Sequence, residues 1–165
     1  MIAQDIYAFL SSNQTLQTAL SATETDSKIY PNYARLSSRL PFIVYQSTNA
    51  GGTQDEVLNE EDLTLIITSD TYATTVAISY ILTSLLDLTE TQIPSSTYNI
   101  YYAKKIGGND YADDLGRHVR ALNFTFKFNK KTVTETENSN SENTGDNTSN
   151  TDENSNDNEN NNENE

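Results

Sequence analysis

The stretch NFTFKFNKKTVTETENSNSENTG, residues 123–145, divides the chain in two. Phe124, Phe126 and Phe128 alternate with Asn123, Thr125 and Lys127, the period of a strand with one buried face. Beyond Lys131 the only aliphatic side chain is Val133, and there is no aromatic one. A segment of that composition buries too little apolar surface to offset the entropy of ordering its backbone. Residues 132–165 are therefore expected to form a disordered Asn/Glu-rich acidic tail. The fold has to be built from residues 1–131, a normal length for one domain with its own core.

Charge follows the same boundary. The chain has 165 residues, 24 of them acidic and 10 basic, for a net charge of −14. The tail holds 10 of the acidic groups and none of the basic ones, which leaves residues 1–131 with 14 against 10, a net −4. One reading of the tail is a self-repelling acidic brush on the outside of an assembly; compositional drift in an Asn-rich gene is another. Its charge would repel nucleic-acid phosphates. The absence of cysteine rules out both a disulfide framework and a thiolate metal site. Asp5 interrupts the first apolar run and no Lys or Arg precedes it, so no secretory signal is expected. The longest mostly apolar stretch, residues 72–88, is broken by Thr, Ser and Asp, so no membrane span is expected either. The expectation is a soluble intracellular product.

Hydrophobic spacing sets the elements. Ile2, Ile6, Phe9 and Leu10 recur at helical intervals, and QTLQTAL after Asn13 reads as a shorter helical piece. Residues 21–40 read as a loop. PFIVYQS, led by Pro41, is a strand; residues 47–61 are a loop bent at Gly51 and Gly52; and DLTLIITS is a strand with Leu63, Leu65 and Ile67 on one face. Ser69 or Asp70 caps a helix over TYATTVAISYILTSLLDL, with Ala73, Val76, Ala77, Tyr80, Ile81, Ser84, Leu85 and Leu88 as its buried stripe. TYNIYYAKKI is the third strand, GGNDYADDLG (107–116) a loop, and RHVRALNFTFKFNK the last strand. The expected class is α+β: an antiparallel sheet of about four strands with two helices packed on one face. Tyr45, Ile66, Tyr101, Val119 and Ala121 fall on the other face, which is too apolar to be fully solvated and so suggests a partner surface.

Nothing in the sequence assembles a catalytic centre. His118 has no second histidine or cysteine with which to hold a metal. Asp110, Asp113 and Asp114 lack the alternating ligands and distal Glu of a calcium loop, and Glu60, Glu61 and Asp62 read as a solvated strand entry. No phosphate loop, nucleophile elbow or dinucleotide fingerprint occurs. An enzyme, a metal and a cofactor are all unexpected. Lys104, Lys105, Arg117, Arg120, Lys127, Lys130 and Lys131 lie in the last two strands, where Lys127, Lys130 and Lys131 would blunt an exposed sheet edge.

Taken in order, IAQDIYAFLSSNQTLQTAL, KIYPNYA, LPFIVYQ, LTLIITSDTYATTVAISYILTSLLDL and RALNFTFKF resemble the tail-completion or tail-terminator proteins of long-tailed bacteriophages. The resemblance spans roughly residues 2–129 and rests on order and spacing rather than on a sharp motif. It implies a structural virion protein without catalytic residues. Such a protein forms a ring, commonly a hexamer, that closes the tail tube at the head–tail junction. The partners implied are other copies of itself, the tail tube protein and neck or connector proteins, with DNA passing through the lumen without specific recognition and no membrane. Subunit contacts through strand edges and long loops make Gln54, Asp55, Glu56, Tyr101, Asp110, Tyr111 and Arg117 the candidate contact residues. A portal-proximal adaptor or stopper ring is the alternative within a virion. A small non-viral protein-binding module is the alternative outside one.

Overall fold

The structure, a computed structural model, describes residues 2–35, 37–49, 58–88 and 93–131. The expected tail at 132–165 and the candidate contacts Gln54, Asp55 and Glu56 lie outside the described residues. The first segment forms α1 (Ala3–Ser12) and α2 (Gln14–Leu20). Asn13 joins them: its N–H reaches the Leu10 carbonyl at 3.2 Å, and its side chain accepts from the Leu16 N–H at 2.9 Å, capping α2. Ile2, Ile6, Leu10, Leu16 and Leu20 from this pair enter one core, each contributing roughly 1.5–3 kcal/mol on burial.

The sheet corrects the expected count and pairing. It has five strands in the order β1-β2-β3-β5-β4 and is mixed rather than purely antiparallel. The extra strand, β1 (Ile29–Pro31), lies in the stretch read as a loop and runs parallel to β2 (Phe42–Asn49). Left-handed residues bound it on both sides, Lys28 at φ 55° and Asn32 at φ 61°, which keeps it to three residues. β3 (Asn59–Ser69) pairs with β2 and with β5 (His118–Lys130), both antiparallel. The strands reach further into residues 47–61 than the loop reading allowed, since β2 runs to Asn49 and β3 starts at Asn59.

The same correction applies after Gly107. β4 spans Tyr98–Ala112, so most of the expected 107–116 loop is strand paired with β5 as far as Ala112 opposite His118. Gly108 is the residue that permits this, because a Cβ there would stand 2.3 Å from the Ala121 carbonyl oxygen.

Among the described residues three helices, not two, accompany the sheet. α3 (Tyr72–Leu86) is capped by Thr71, whose side chain accepts from the Thr74 N–H at 3.2 Å, not by Ser69 or Asp70. Its buried face is Thr75, Ile78, Ser79, Leu82 and Leu86, not the stripe through Tyr80. Tyr80 is 72 % exposed, and Ala73, Ala77 and Ser84 are exposed with it. Thr and Ser can face inward here because their hydroxyls bond back along the helix, Thr75 to the Tyr72 carbonyl at 2.7 Å and Ser79 to that of Val76 at 2.8 Å. The core they meet includes Leu63, Leu65 and Ile67 of β3 with Leu122, Phe124, Phe126 and Phe128 of β5, on the faces that the alternation predicts.

A buried carboxylate ties the first helix to the sheet. Glu61, 1 % exposed, accepts from the Ile2 N–H at 3.1 Å and from the Ser47 hydroxyl. Ile2 is the N-cap of α1 and offers no capping side chain of its own, so a residue 59 positions away supplies the anion that this helix end favours.

Candidate assembly interface

β4 is an edge strand, and only part of its outer side is covered. Ala103 exchanges both backbone hydrogen bonds with Leu88, at 3.0 and 3.1 Å, and the Lys105 N–H donates to Asp87 Oδ1 at 3.3 Å. Lys104 pairs with the same carboxylate at 3.0 Å and holds it below its ordinary range. From Ile106 to Ala112 no further strand or loop pairs with the outer side among the described residues. That leaves roughly 20 Å of strand edge open, a template for pairing with another chain.

Exposed apolar side chains collect on the same hairpin. The ladder to β5 is interrupted twice, at Tyr101 and at Ile106, where one extra residue is inserted into β4. A bulge re-aims its side chain, and both of these are solvent-exposed, Ile106 at 59 %. Tyr111 at 47 % and Leu115 at 73 % continue the series to the hairpin tip.

The face of the sheet away from the helices has two halves, set by register. Toward the end of the sheet where β3 begins, polar pairs bridge the strands: Thr64 to Asn123 at 3.0 Å, Thr125 to Asp62 at 2.5 Å, and Lys127 to Glu60 at 3.6 Å. Toward the hairpin tip, one row runs Phe42–Thr68–Val119–Tyr111 and the next Val44–Ile66–Ala121–Asn109. Ile66, Val119, Ala121 and Tyr101 occupy this face as the sequence predicts. Tyr45 does not: it is opposite Leu65, packs against the core, and lies 5.9 Å from the Tyr7 ring. Burial raises its phenol pKa. Lys127 and Lys130 do not blunt an edge either, because β5 is an inner strand between β3 and β4; Lys131, just beyond it, donates to the Ser95 carbonyl at 2.6 Å.

Four of the seven candidate contact residues are within the described structure. Asp110, Tyr111 and Arg117 come together at the hairpin tip, whereas Tyr101 lies toward the other end of β4, its hydroxyl donating to Asn129 at 3.1 Å. The two charged residues have partners within the chain. Arg117 Nε donates to Asp113 Oδ2 at 2.6 Å, its backbone N–H donates to Oδ1 at 2.9 Å, and its guanidinium lies 6.0 Å from the Phe42 ring centre. Arg120 holds Asp110 in the same way, so each aspartate stays ionised below its ordinary carboxylate range because of its arginine. Ile106 and Leu115 were not candidates in the sequence. Each is a single apolar residue in a polar run, KKIGG and DDLGR, and that isolation was the available signal.

His118 meets the Tyr72 ring edge-on at 6.1 Å, and among the described residues no group of three or more His, Cys, Asp or Glu is arranged to hold a metal. No helix among them is long and apolar enough to cross a membrane.

No known family profile matches the sequence, and no curated protein does. A similarity in fold does emerge among solved structures. A chain from the virion of a native gene transfer agent particle superposes with a TM-score of 0.53 at 11 % sequence identity, over 77 % of this chain and 92 % of that one. At that identity the likeness is one of fold.

Proposed function

We propose that this chain is a structural protein of a phage-like virion, forming a ring in the neck that terminates the tail tube and joins it to the head. The observation that carries the reading is the fold shared with nearly the whole of a virion chain. The partly open edge of β4 supports it, because a closed ring needs a heterologous contact in which one surface of each copy meets a different surface of the next. The edge from Ile106 to Ala112 offers backbone hydrogen bonds, Ile106, Tyr111 and Leu115 offer apolar area beside them, and Tyr101 offers more toward the other end of β4. Asp110 and Arg117 serve this contact indirectly, by fixing the hairpin that presents it. Gln54, Asp55 and Glu56 are proposed as further contact residues. The partners in this reading are other copies of the chain, six to a ring, the tail tube protein and the neighbouring neck proteins, with DNA passing through the lumen and no reaction catalysed.

Negative-stain imaging of the full chain tests this, beside the double variant Ile106→Lys/Leu115→Lys. Closed six-fold rings that disappear in the variant, with its unfolding midpoint unchanged, are the expected result. A monomer that takes up an extended peptide along β4 would overturn the ring and favour a small binding module.

A further inference from the structure

A second feature lies away from β4, where the chain between α2 and β2 encloses an open cleft of about 850 Å³. That volume is within the range of small-ligand sites. Five Ser and Thr hydroxyls line it, together with Lys28, Arg35 and Arg39 and a single carboxylate, Asp26. Asp26 is already engaged: it accepts from the Lys28 N–H at 2.9 Å and from the Tyr30 hydroxyl at 3.0 Å. Arg35 and Arg39 form no ion pair among the described residues. Lys28 is 7 % exposed, and its ammonium has no hydrogen-bond acceptor or carboxylate partner among them.

Lys28 is also held in place. Its N–H bonds to Asp26, its carbonyl accepts from the Ile43 N–H at 2.9 Å, and its backbone is left-handed at φ 55°. The stem of Lys28 is buried while its ammonium keeps contact with solvent in the cleft, and three cations around one cleft raise its potential. An oxyanion entering the cleft offsets that potential. Guanidinium forks and hydroxyls suit a tetrahedral oxyanion, whose several acceptor oxygens satisfy more donors than the two of a carboxylate.

We propose that this cleft is a phosphate-binding site, with Lys28, Arg35 and Arg39 as its charged donors and the hydroxyls completing the shell. The phosphate comes either from free phosphate or from the phosphodiester backbone of DNA. The proposal stands independently of ring formation.

The test uses the full chain, titrated calorimetrically with inorganic phosphate and, by fluorescence anisotropy, with a short DNA duplex at two salt concentrations. The variants are Arg35→Gln/Arg39→Gln and Lys28→Met. Saturable phosphate binding that weakens roughly tenfold or more in both variants is expected. The arginine pair is exposed, so its replacement is expected to leave the unfolding midpoint in place. Duplex binding that weakens in parallel, with the salt slope falling by about 1 per lost contact, identifies DNA as the source. Duplex binding that is absent or unaffected, while phosphate binding weakens, identifies free phosphate. Absence of saturable binding by either probe, or phosphate and duplex binding that the arginine variant leaves unchanged, overturns the proposal.

Discussion

Arg120 on the inner strand β5 and Asp110 on the edge strand β4 are register partners, joined by two hydrogen bonds, Nε to Oδ1 at 2.6 Å and an Nη nitrogen to Oδ2 at 2.5 Å. The same guanidinium donates to Ser79 of α3 and to the Tyr72 hydroxyl, both at 3.0 Å, and lies 5.4 Å from the Tyr72 ring centre. One side chain thus connects the open end of β4, the inner sheet and the start of α3. The order of the proposed assembly surface depends on that connection.

This pair sets an acid dependence. The Arg120 hydrogen bonds hold the Asp110 carboxyl below its ordinary value, so its contribution to stability is present above the unfolded-chain pKa, near 3.9. It is lost as the pH falls through the lower folded value. Asp110 is partly exposed, and solvent screening limits the pair to about 0.5–1 kcal/mol. Urea unfolding of Asp110→Asn is expected to show a lower midpoint at neutral pH and a shallower loss of stability below pH 4. An acid limb identical to that of the parent would count against the assignment.

Glu61 is a buried carboxylate with two hydrogen-bond donors among the described residues. Glu61→Ala strands the Ile2 N–H and the Ser47 hydroxyl, which costs about 1–3 kcal/mol for each unsatisfied group. Glu61→Gln keeps acceptor capacity and is expected to lose less. Thermal midpoints rank the three proteins, and amide exchange in α1 is expected to accelerate most in the alanine variant.

The adjacent glycines of β4 are expected to behave differently. Gly108→Ala drives a Cβ to 2.3 Å from the Ala121 carbonyl and is expected to destabilise by about 1–3 kcal/mol, with faster exchange of the β5 amides around Leu122. At Gly107 the nearest atom is Asn123 Nδ2 at 3.9 Å, and Gly107→Ala is expected to fall within about 0.5 kcal/mol of the parent. Equal losses at the two positions would rule out the register.

The phase of α3 is open to the same kind of test. Leu82 is fully buried, and Leu82→Ala is expected to cost about 2–5 kcal/mol. Tyr80→Ala is expected to change the unfolding free energy of the isolated chain by about 0.5 kcal/mol or less, because the ring stands in solvent. The reverse ranking would restore the stripe that includes Tyr80.

The sequence by itself determined the elements whose pattern is local and sharp. Alternation placed Leu63, Leu65 and Ile67 and then Leu122 through Phe128 on the core face, and helical spacing with Asn13 as the junction marked out α1 and α2. Aromatic character on the second sheet face singled out Tyr101 in the same way. Tertiary structure decided the rest, because there the deciding partner is distant in the chain. β1 is a strand only because β2 offers it a parallel edge, and a three-residue strand has too little length to show a period. α3 carries apolar residues on two faces; the sheet selects Ile78 and Leu82, while the hydroxyls of Thr75 and Ser79 are satisfied inside the helix and so can share that buried face. β4 continues through Gly107 and Gly108, residues that read locally as a turn, because β5 runs alongside and Gly108 lets the two backbones approach. The same pairing brings Asp110 to Arg120, while the turn beyond it joins Asp113 to Arg117, engaging charges that looked free in the sequence and leaving the apolar hairpin as the exposed surface.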